Sequence, residues 1–89
     1  VHTESITNPM LRVPDLVALA AAARAAGALS MVDATFASPI VQRPFELGID
    51  LVMQSATKYL GGHSDLVAGT LAGRDETLAP IAAARRVLG

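Results

Sequence analysis

Residues 13–33 read VPDLVALAAAARAAGALSMVD, a stretch in which an alanine-rich helical pattern gives way to a short apolar run. The run Leu16–Ala26 is built largely of alanine, the best helix former. Pro14 suits the first helical turn, and Asp15 complements the positive end of the helix dipole. Gly27 can adopt the left-handed conformation that follows a helix C-terminus. The stretch therefore predicts a helix that is followed almost at once by a strand.

The predicted strand covers Leu29–Val32 and ends at Asp33. A second apolar run, Leu51–Met53, leads into Gln54 and Ser55 in the same way. Short apolar runs that alternate with helical segments are typical of parallel βαβ units, whose sheets are covered on both faces. The sequence therefore predicts an α/β fold with a mostly parallel sheet and flanking helices.

Four further elements complete this prediction. They are a strand tail at Val1–Ser5, a short helical turn at Pro44–Gly48, a further strand at Leu66–Ala72, and a helix at Thr77–Leu88 with Pro80 in its first turn.

Composition and charge exclude several classes of protein. A net charge of −1 with seven lysines and arginines lacks the positive surface that nucleic-acid binding requires. No apolar run approaches the roughly 20 residues of a membrane-spanning helix, and no basic start leads into an apolar segment. Neither a membrane span nor a signal peptide is therefore expected. The absence of cysteine removes disulfides and favours a cytoplasmic location.

The size of the chain indicates a piece of a larger protein. Eighty-nine residues make at most one domain, and the hydrophobic fraction of 52% contains few aromatic residues, 3% of the chain. A core without large aromatic side chains, disulfides or metal ligands is marginal at this length. We therefore expect residues 1–89 to be part of a domain whose other segments support them.

Polar residues gather at the carboxyl ends of the predicted strands, where open α/β sheets bind their ligands. Asp33 ends one strand and is followed by Thr35, Ser55 ends the next, and Asn8 follows the first. Lys58 comes three residues after Ser55 and is the only lysine of the chain. We expect these five side chains to share one edge of the sheet.

Lys58 has the most specific chemistry of the group. Most lysines are exposed loop residues, but this one stands among hydroxyl residues and precedes the glycine pair Gly61–Gly62. A lysine amine can form a Schiff base with a carbonyl cofactor. Pyridoxal phosphate also needs an acid at its ring nitrogen and donors for its phosphate. Asp33 could supply the acid, and Ser55 and Thr57 part of the phosphate site.

Other interpretations of these residues stay open. Asp33 could merely cap the turn that follows its strand. Gly61–Gly62 is a weak phosphate-binding signal, because it lacks the spacing of a Walker motif. His63 and Asp65 have no third partner, so no metal site is predicted.

Three segments of the chain are ESITNP at 4–9, VDATFASP at 32–39 and SATKYLGGHSD at 55–65. Together they resemble the transsulfuration enzymes, the pyridoxal-phosphate-dependent group that contains cystathionine γ-synthase, γ-lyase and β-lyase and methionine γ-lyase. The resemblance covers essentially the whole chain in the expected order. Two departures are mild, since Ile6 stands where the family often has proline and Ala34 where asparagine is frequent.

This resemblance implies a role for each candidate residue. Lys58 would hold the cofactor as an internal aldimine and later move protons, and Asp33 would pair with the pyridinium nitrogen. Tyr59 is not the ring-stacking tyrosine, which lies upstream in the family, and the arginine that binds the substrate carboxylate lies downstream. The remaining implied contacts are those of Ser55 and Thr57 with the phosphate, of Asn8 with the ring oxygen and of Thr35 with the ring face.

The resemblance also implies the setting of these residues. Residues 1–89 would be the central portion of the large PLP-binding domain of an aspartate-aminotransferase-like fold of type I, without its N-terminal segment and C-terminal small domain. The parent would be a homotetrameric enzyme that acts on a small amino-acid substrate, either a sulfur amino acid or an activated homoserine. The alternative is a chain with no activity of its own, either a truncated fragment or a phosphate-binding module at Gly61–Gly62.

Overall fold

The computed structural model describes all 89 residues. Four strands and two helices follow one another as β1 (His2–Glu4), α1 (Leu16–Ala25), β2 (Met31–Asp33), β3 (Leu51–Ser55), β4 (Gly69–Gly73) and α2 (Asp75–Leu88). Two short turns of helix lie between them, a 3-10 turn at Pro44–Leu47 and a π-helical turn at Ala56–Leu60. The strand predicted near the start of the chain and the helical turn predicted after Arg43 are both present.

The four strands form one sheet in the order β1-β2-β3-β4. β1, β2 and β3 run parallel, and β4 pairs with β3 in the antiparallel sense. Glu4, Asp33 and Met53 are register partners across the parallel strands. Because side chains alternate between faces along a strand, these three residues share the face opposite to that of Val32. The predicted α/β fold with a mostly parallel sheet is confirmed.

The core lies on the Val32 face of the sheet, beneath α1. Leu16 and Ala20 of the helix belong to one buried cluster with Val32 and Val52 of the strands. Fourteen of the 89 residues are buried in total. The core is therefore small, and most of the apolar side chains of the chain stay at the surface.

α1 begins at Leu16, the first residue of the predicted run, but Pro14 is not in its first turn. Asp15 is the N-cap, and its carboxylate accepts a hydrogen bond from the amide of Ala18 at 2.9 Å. Pro14 therefore lies before the cap and not in the first turn, so that part of the prediction is wrong. The end of the helix is confirmed, because Gly27 has a φ of +66° as a left-handed residue after the C-terminus should.

β2 and β3 end at Asp33 and Ser55, as predicted, but β2 begins two residues later than the predicted apolar run. Ser30 is fully buried and is tied to Asp50 by side-chain hydrogen bonds, whereas Leu29 is 53% exposed. The chain therefore enters the sheet at Met31 and not at Leu29, and β2 includes Asp33. β3 begins at Leu51 and ends at Ser55, the residue predicted to end it.

The last strand and the last helix also differ from the prediction. Ala68 exchanges hydrogen bonds with Thr57, so the ladder begins at Gly69 and the predicted strand at Leu66–Ala72 starts too early. α2 begins at Asp75, since Asp75 and its neighbour Glu76 favour the positive end of a helix dipole. Pro80 is consequently in the second turn and not in the first. Neither helix has the length and the apolar composition that crossing a bilayer requires.

Candidate functional site

The carboxyl ends of β1, β2 and β3 meet at one edge of the sheet, because the three strands are parallel and in register. A concavity of about 190 Å³ opens at this edge. It brings together four residues that the sequence predicts for the site. Its lining consists of Glu4, Ile6, Asn8, Asp33, Thr35, Phe36 and Ser55.

Asp33 is held at this edge by Thr35. Its Oδ1 accepts two hydrogen bonds, one from the Thr35 amide at 2.9 Å and one from the Thr35 hydroxyl at 2.5 Å. Asp33 Oδ2 makes no hydrogen bond within the chain. Asp33 therefore does cap the turn after its strand, and one carboxylate oxygen is still available to a ligand.

Glu4 belongs to the site, although the sequence patterns did not identify it as a site residue. Its Oε2 accepts a hydrogen bond from the backbone amide of Asn8 at 2.8 Å, and its register partner across the parallel strands is Asp33. The signal in the sequence was its position as the last residue of the first strand. Glu4 closes the turn that carries Asn8, so it fixes the backbone of a predicted cofactor contact.

Lys58 lies in the π-helical turn that follows β3. The amide of Gly61 donates to the carbonyl of Ala56 at 2.7 Å, the five-residue spacing of a π-helix, and Lys58 has non-helical dihedral angles inside the turn. Gly62 has a φ of +76°, which favours glycine, and its amide donates to the carbonyl of Lys58. Lys58 is exposed, and its amine makes no hydrogen bond or ion pair with the chain.

A second concavity, of about 520 Å³, runs along this turn. Phe36 borders both concavities, so the Asp33 side and the Lys58 side of the edge are neighbours that share a wall. The structure thus places Lys58 next to the other four candidates but not among them. The lining of the second concavity is Phe36, Thr57, Lys58, Tyr59, Gly62, Ser64, Leu66 and Val67.

The two hydroxyl residues predicted to bind phosphate have different surroundings. The Ser55 hydroxyl makes no hydrogen bond within the chain, whereas Thr57 Oγ1 accepts from the Ala68 amide at 3.0 Å and donates to the Ala68 carbonyl at 3.3 Å. Ser55 is free to donate to an anion. Thr57 could donate to an anion only after its 3.3 Å hydrogen bond to the Ala68 carbonyl is broken.

The donor set of this edge fits pyridoxal phosphate. A primary amine, a carboxylate with one open oxygen and a free hydroxyl are what its aldehyde, its ring nitrogen and its phosphate require. Lys58 is the only cationic side chain that lines either concavity. The side chains available to bind the phosphate are therefore hydroxyl groups, those of Ser55 and Thr57. No group of three His, Cys, Asp or Glu side chains is close enough to hold a metal ion.

Comparison with known proteins finds one family throughout. The profile of the Cys/Met metabolism PLP-dependent enzymes matches residues 1–89. A cystathionine beta-lyase from Lactococcus lactis subsp. cremoris is 49% identical over 79 residues, which cover 89% of this chain and 21% of the relative. A cystathionine gamma-synthase from Escherichia coli is 53% identical over 75 residues, which cover 84% of this chain and 19% of the relative.

Solved structures agree with the sequence relatives. A methionine gamma lyase from Micromonospora echinospora, solved in its apo form, superposes with a TM-score of 0.90 at 42% identity, over 97% of this chain and 24% of that one. A cystathionine gamma-lyase from Lactobacillus plantarum in complex with L-serine gives a TM-score of 0.83 at 46% identity, over 89% and 21%. The chain thus spans about a fifth of the length of the proteins it matches.

Proposed function

Because the chain belongs to the family of Cys/Met metabolism PLP-dependent enzymes, we propose that it forms the cofactor-binding part of a transsulfuration enzyme of the cystathionine γ-synthase or γ-lyase type. Residues 1–89 would be the central portion of the large PLP-binding domain. The observation that carries this proposal is that two groups lie on neighbouring turns: the Asp33 carboxylate, which Thr35 orients, and the amine of Lys58, which has no partner in the chain.

Pyridoxal phosphate, when bound, supplies an electron sink that allows bonds to the α and more distant carbons of an amino acid to be broken. Lys58 Nζ is the group proposed to condense with the aldehyde carbon of the cofactor, with loss of water. When the substrate amine takes its place at that carbon, the free Lys58 Nζ would accept and return a proton at the substrate carbons. Its lack of hydrogen-bond and ion-pair partners in the chain leaves Lys58 Nζ available for both roles.

Asp33 Oδ2 is proposed to accept a hydrogen bond from the protonated ring nitrogen of the cofactor. A carboxylate at that position favours the positively charged ring, which withdraws electrons more strongly. Asn8 would approach the ring oxygen from the turn that Glu4 closes, and Thr35 would lie near the ring face. Ser55 and Thr57 would donate to the phosphate.

The proposed substrate is a small amino acid, either a sulfur amino acid or an activated homoserine. The relatives named above include a beta-lyase, a gamma-synthase and gamma-lyases, which share this segment at 42–53% identity. The segment is therefore common to several reactions, and the choice among them depends on residues elsewhere in such a protein. A homotetrameric assembly and a cytoplasmic location are further parts of the proposal.

Covalent trapping tests the proposal directly. The chain is incubated with pyridoxal phosphate, reduced with borohydride and digested, and the pyridoxyl phosphate adduct is mapped by mass spectrometry. We expect the adduct on Lys58 and its loss in Lys58→Arg, which keeps the charge but cannot form the linkage. Lys58 is the only lysine of the sequence, so the absence of an adduct at Lys58 would contradict the proposal.

A further inference from the structure

Thr35 connects the two halves of the candidate site through a single hydroxyl group. Its Oγ1 lies 2.5 Å from Asp33 Oδ1 and 2.9 Å from the backbone nitrogen of Ser55. The Ser55 amide can only donate, so Thr35 Oγ1 is the acceptor there. The one hydroxyl proton of Thr35 is consequently directed to Asp33.

This arrangement has a consequence for Asp33. The Thr35 amide at 2.9 Å and the Thr35 hydroxyl both donate to Asp33 Oδ1, so this oxygen is already hydrogen-bonded within the turn. Asp33 Oδ2 is then the oxygen that is free to accept a hydrogen bond from a ligand. Two donors on one oxygen also fix the plane of the carboxylate, which a single bond would leave free to rotate.

The same hydroxyl fixes the start of the Lys58 turn. Ser55 is the last residue of β3 and the N-cap of the π-helical turn, and no side-chain hydrogen bond caps that turn from within. The bond from the Ser55 amide to Thr35 therefore ties this junction to the end of β2. Ser55 and Thr35 are both partly buried, so water competes little for this bond.

We propose that Thr35 is a positioning residue, whose hydroxyl orients Asp33 towards the ring nitrogen of the cofactor and couples Asp33 to the strand that leads into the Lys58 turn. This inference rests on the proposed function for its ligand, and it goes beyond a packing contact of Thr35 with the ring. The geometry itself, a hydroxyl bridging Asp33 and Ser55, is independent of the cofactor.

The first test uses the unmodified chain without cofactor. Protonation of Asp33 removes the negative charge that the Thr35 hydroxyl donates to, which weakens the bridge to Ser55. The amide proton resonance of Ser55 in an NMR pH titration is therefore expected to shift with the same midpoint as the Asp33 carboxyl carbon. A Ser55 resonance that does not follow the titration of Asp33 would overturn the inference, whatever the chain binds.

The second test compares Thr35→Val, which keeps the shape but loses the hydroxyl, with Thr35→Ser, which keeps the hydroxyl. In the chain loaded with pyridoxal phosphate, the Val variant should lose ring protonation at a pH lower by about one unit. An Asp33 carboxylate that Thr35 no longer orients makes a poorer hydrogen bond to the ring nitrogen, and a hydrogen bond to a charged group is worth about tenfold in such an equilibrium. The ¹⁵N chemical shift of the ring nitrogen in labelled cofactor reports this protonation. Thr35→Ser should titrate as the unmodified chain does.

The outcomes separate the two proposals. A Lys58 adduct that forms in the Val variant with an unshifted titration would overturn the role of Thr35 and leave the proposed function standing. A missing Lys58 adduct in the unmodified chain would overturn the proposed function. If Thr35→Val does not fold, the Ser55 resonance in the unmodified chain and in Thr35→Ser still decides the question.

Discussion

Asp50 is a charged residue at the opposite edge of the sheet from Lys58, and it depends on Ser30. The amide of Ser30 donates to Asp50 Oδ2 at 2.8 Å, and the hydroxyl of Ser30 donates to the same oxygen at 2.9 Å. These two hydrogen bonds lower the pKa of Asp50 below its ordinary value of 3.8. Burial opposes them, and the charges of Arg24 and Arg74 make smaller contributions that also lower the pKa. The fold therefore prefers the ionised carboxylate.

The stability of the chain should follow from this preference. Because the pKa of Asp50 is lower in the folded chain than in the unfolded one, the ionised group stabilises the fold above about pH 4, and this contribution is lost as the pH falls through the folded pKa. Ser30→Ala is expected to reduce the free energy of unfolding by about 1 kcal/mol at neutral pH and by less at about pH 2. Urea unfolding at the two pH values measures both differences.

Ser38→Ala is the matched control, since the Ser38 hydroxyl makes no hydrogen bond in the chain. It should change the free energy of unfolding little at either pH. An equal effect of Ser30→Ala at both pH values would show that the Asp50 carboxylate does not depend on Ser30.

The residues of the candidate site were partly predictable. Asp33 and Ser55 stand out because they end apolar strands at the carboxyl edge of the sheet, where open α/β sheets bind ligands. Lys58 stands out as the only lysine of the chain. The bridge that Thr35 makes to Ser55, and the contact of Glu4 with Asn8, were not predictable from local patterns. The bridge depends on the register between two strands that lie 20 residues apart in sequence, which no periodicity encodes.

At the scale of single elements, the π-helical turn Ala56–Leu60 depends on Gly61. A β-carbon at Gly61 would lie 2.7 Å from the carbonyl oxygen of Ala56 and 3.1 Å from the side chain of Leu66. The dihedral angles of Gly61 are those of an ordinary right-handed helix, so alanine would suffer from these contacts and not from its own backbone. The absence of a side chain is what lets the turn close.

Gly61→Ala is therefore expected to distort the turn at a cost of about 1–3 kcal/mol and to reduce the yield of the Lys58 adduct in the trapping experiment. Gly69→Ala provides a control in the adjoining strand, because the nearest atom to its β-carbon would be the Gln54 carbonyl oxygen at 3.9 Å. The control should leave the yield unchanged. Equal yields from both variants would mean that the turn tolerates a side chain at Gly61.

The elements themselves were predictable in kind, but the starts of β2 and β4 were not. Alanine content and a following glycine identify α1 correctly. The start of β2 depends on the buried contact between Ser30 and Asp50. The start of β4 depends on the hydrogen bond from the Ala68 amide to the Thr57 hydroxyl. Both contacts join residues distant in sequence, so a local reading places these ends two or three residues away.

At the scale of the whole molecule, the fold class follows from alternating patterns, but the direction of β4 does not. A parallel return would need a crossover that carries the chain back along the sheet. Residues 56–68 instead fold at the carboxyl edge, through the π-helical turn and the contact of Thr57 with Ala68. The chain therefore re-enters the sheet in the opposite direction.

The isolated chain should associate as its concentration rises. Ile40 is 95% exposed, Val67 94% and Val87 84%, and the outer edge of β1 has no strand beside it. Exposed apolar side chains and open strand edges favour association. Sedimentation velocity over a range of concentrations measures this, and Ile40→Ser should weaken the association. A chain that stays monomeric throughout would contradict the expectation.

The π-helical turn also sets how this sequence can vary in length. A π-helical turn holds one residue more than a regular helical turn, and the bond from Gly61 to Ala56 counts that residue. Deleting any one residue from 56–60 would remove this five-residue spacing and change the position of Lys58 relative to Ser55 or to Gly61. The number of residues in the turn is therefore constrained as well as the identity of Lys58. The spacing from the end of β3 to the glycine pair is as much a part of the site as the lysine itself.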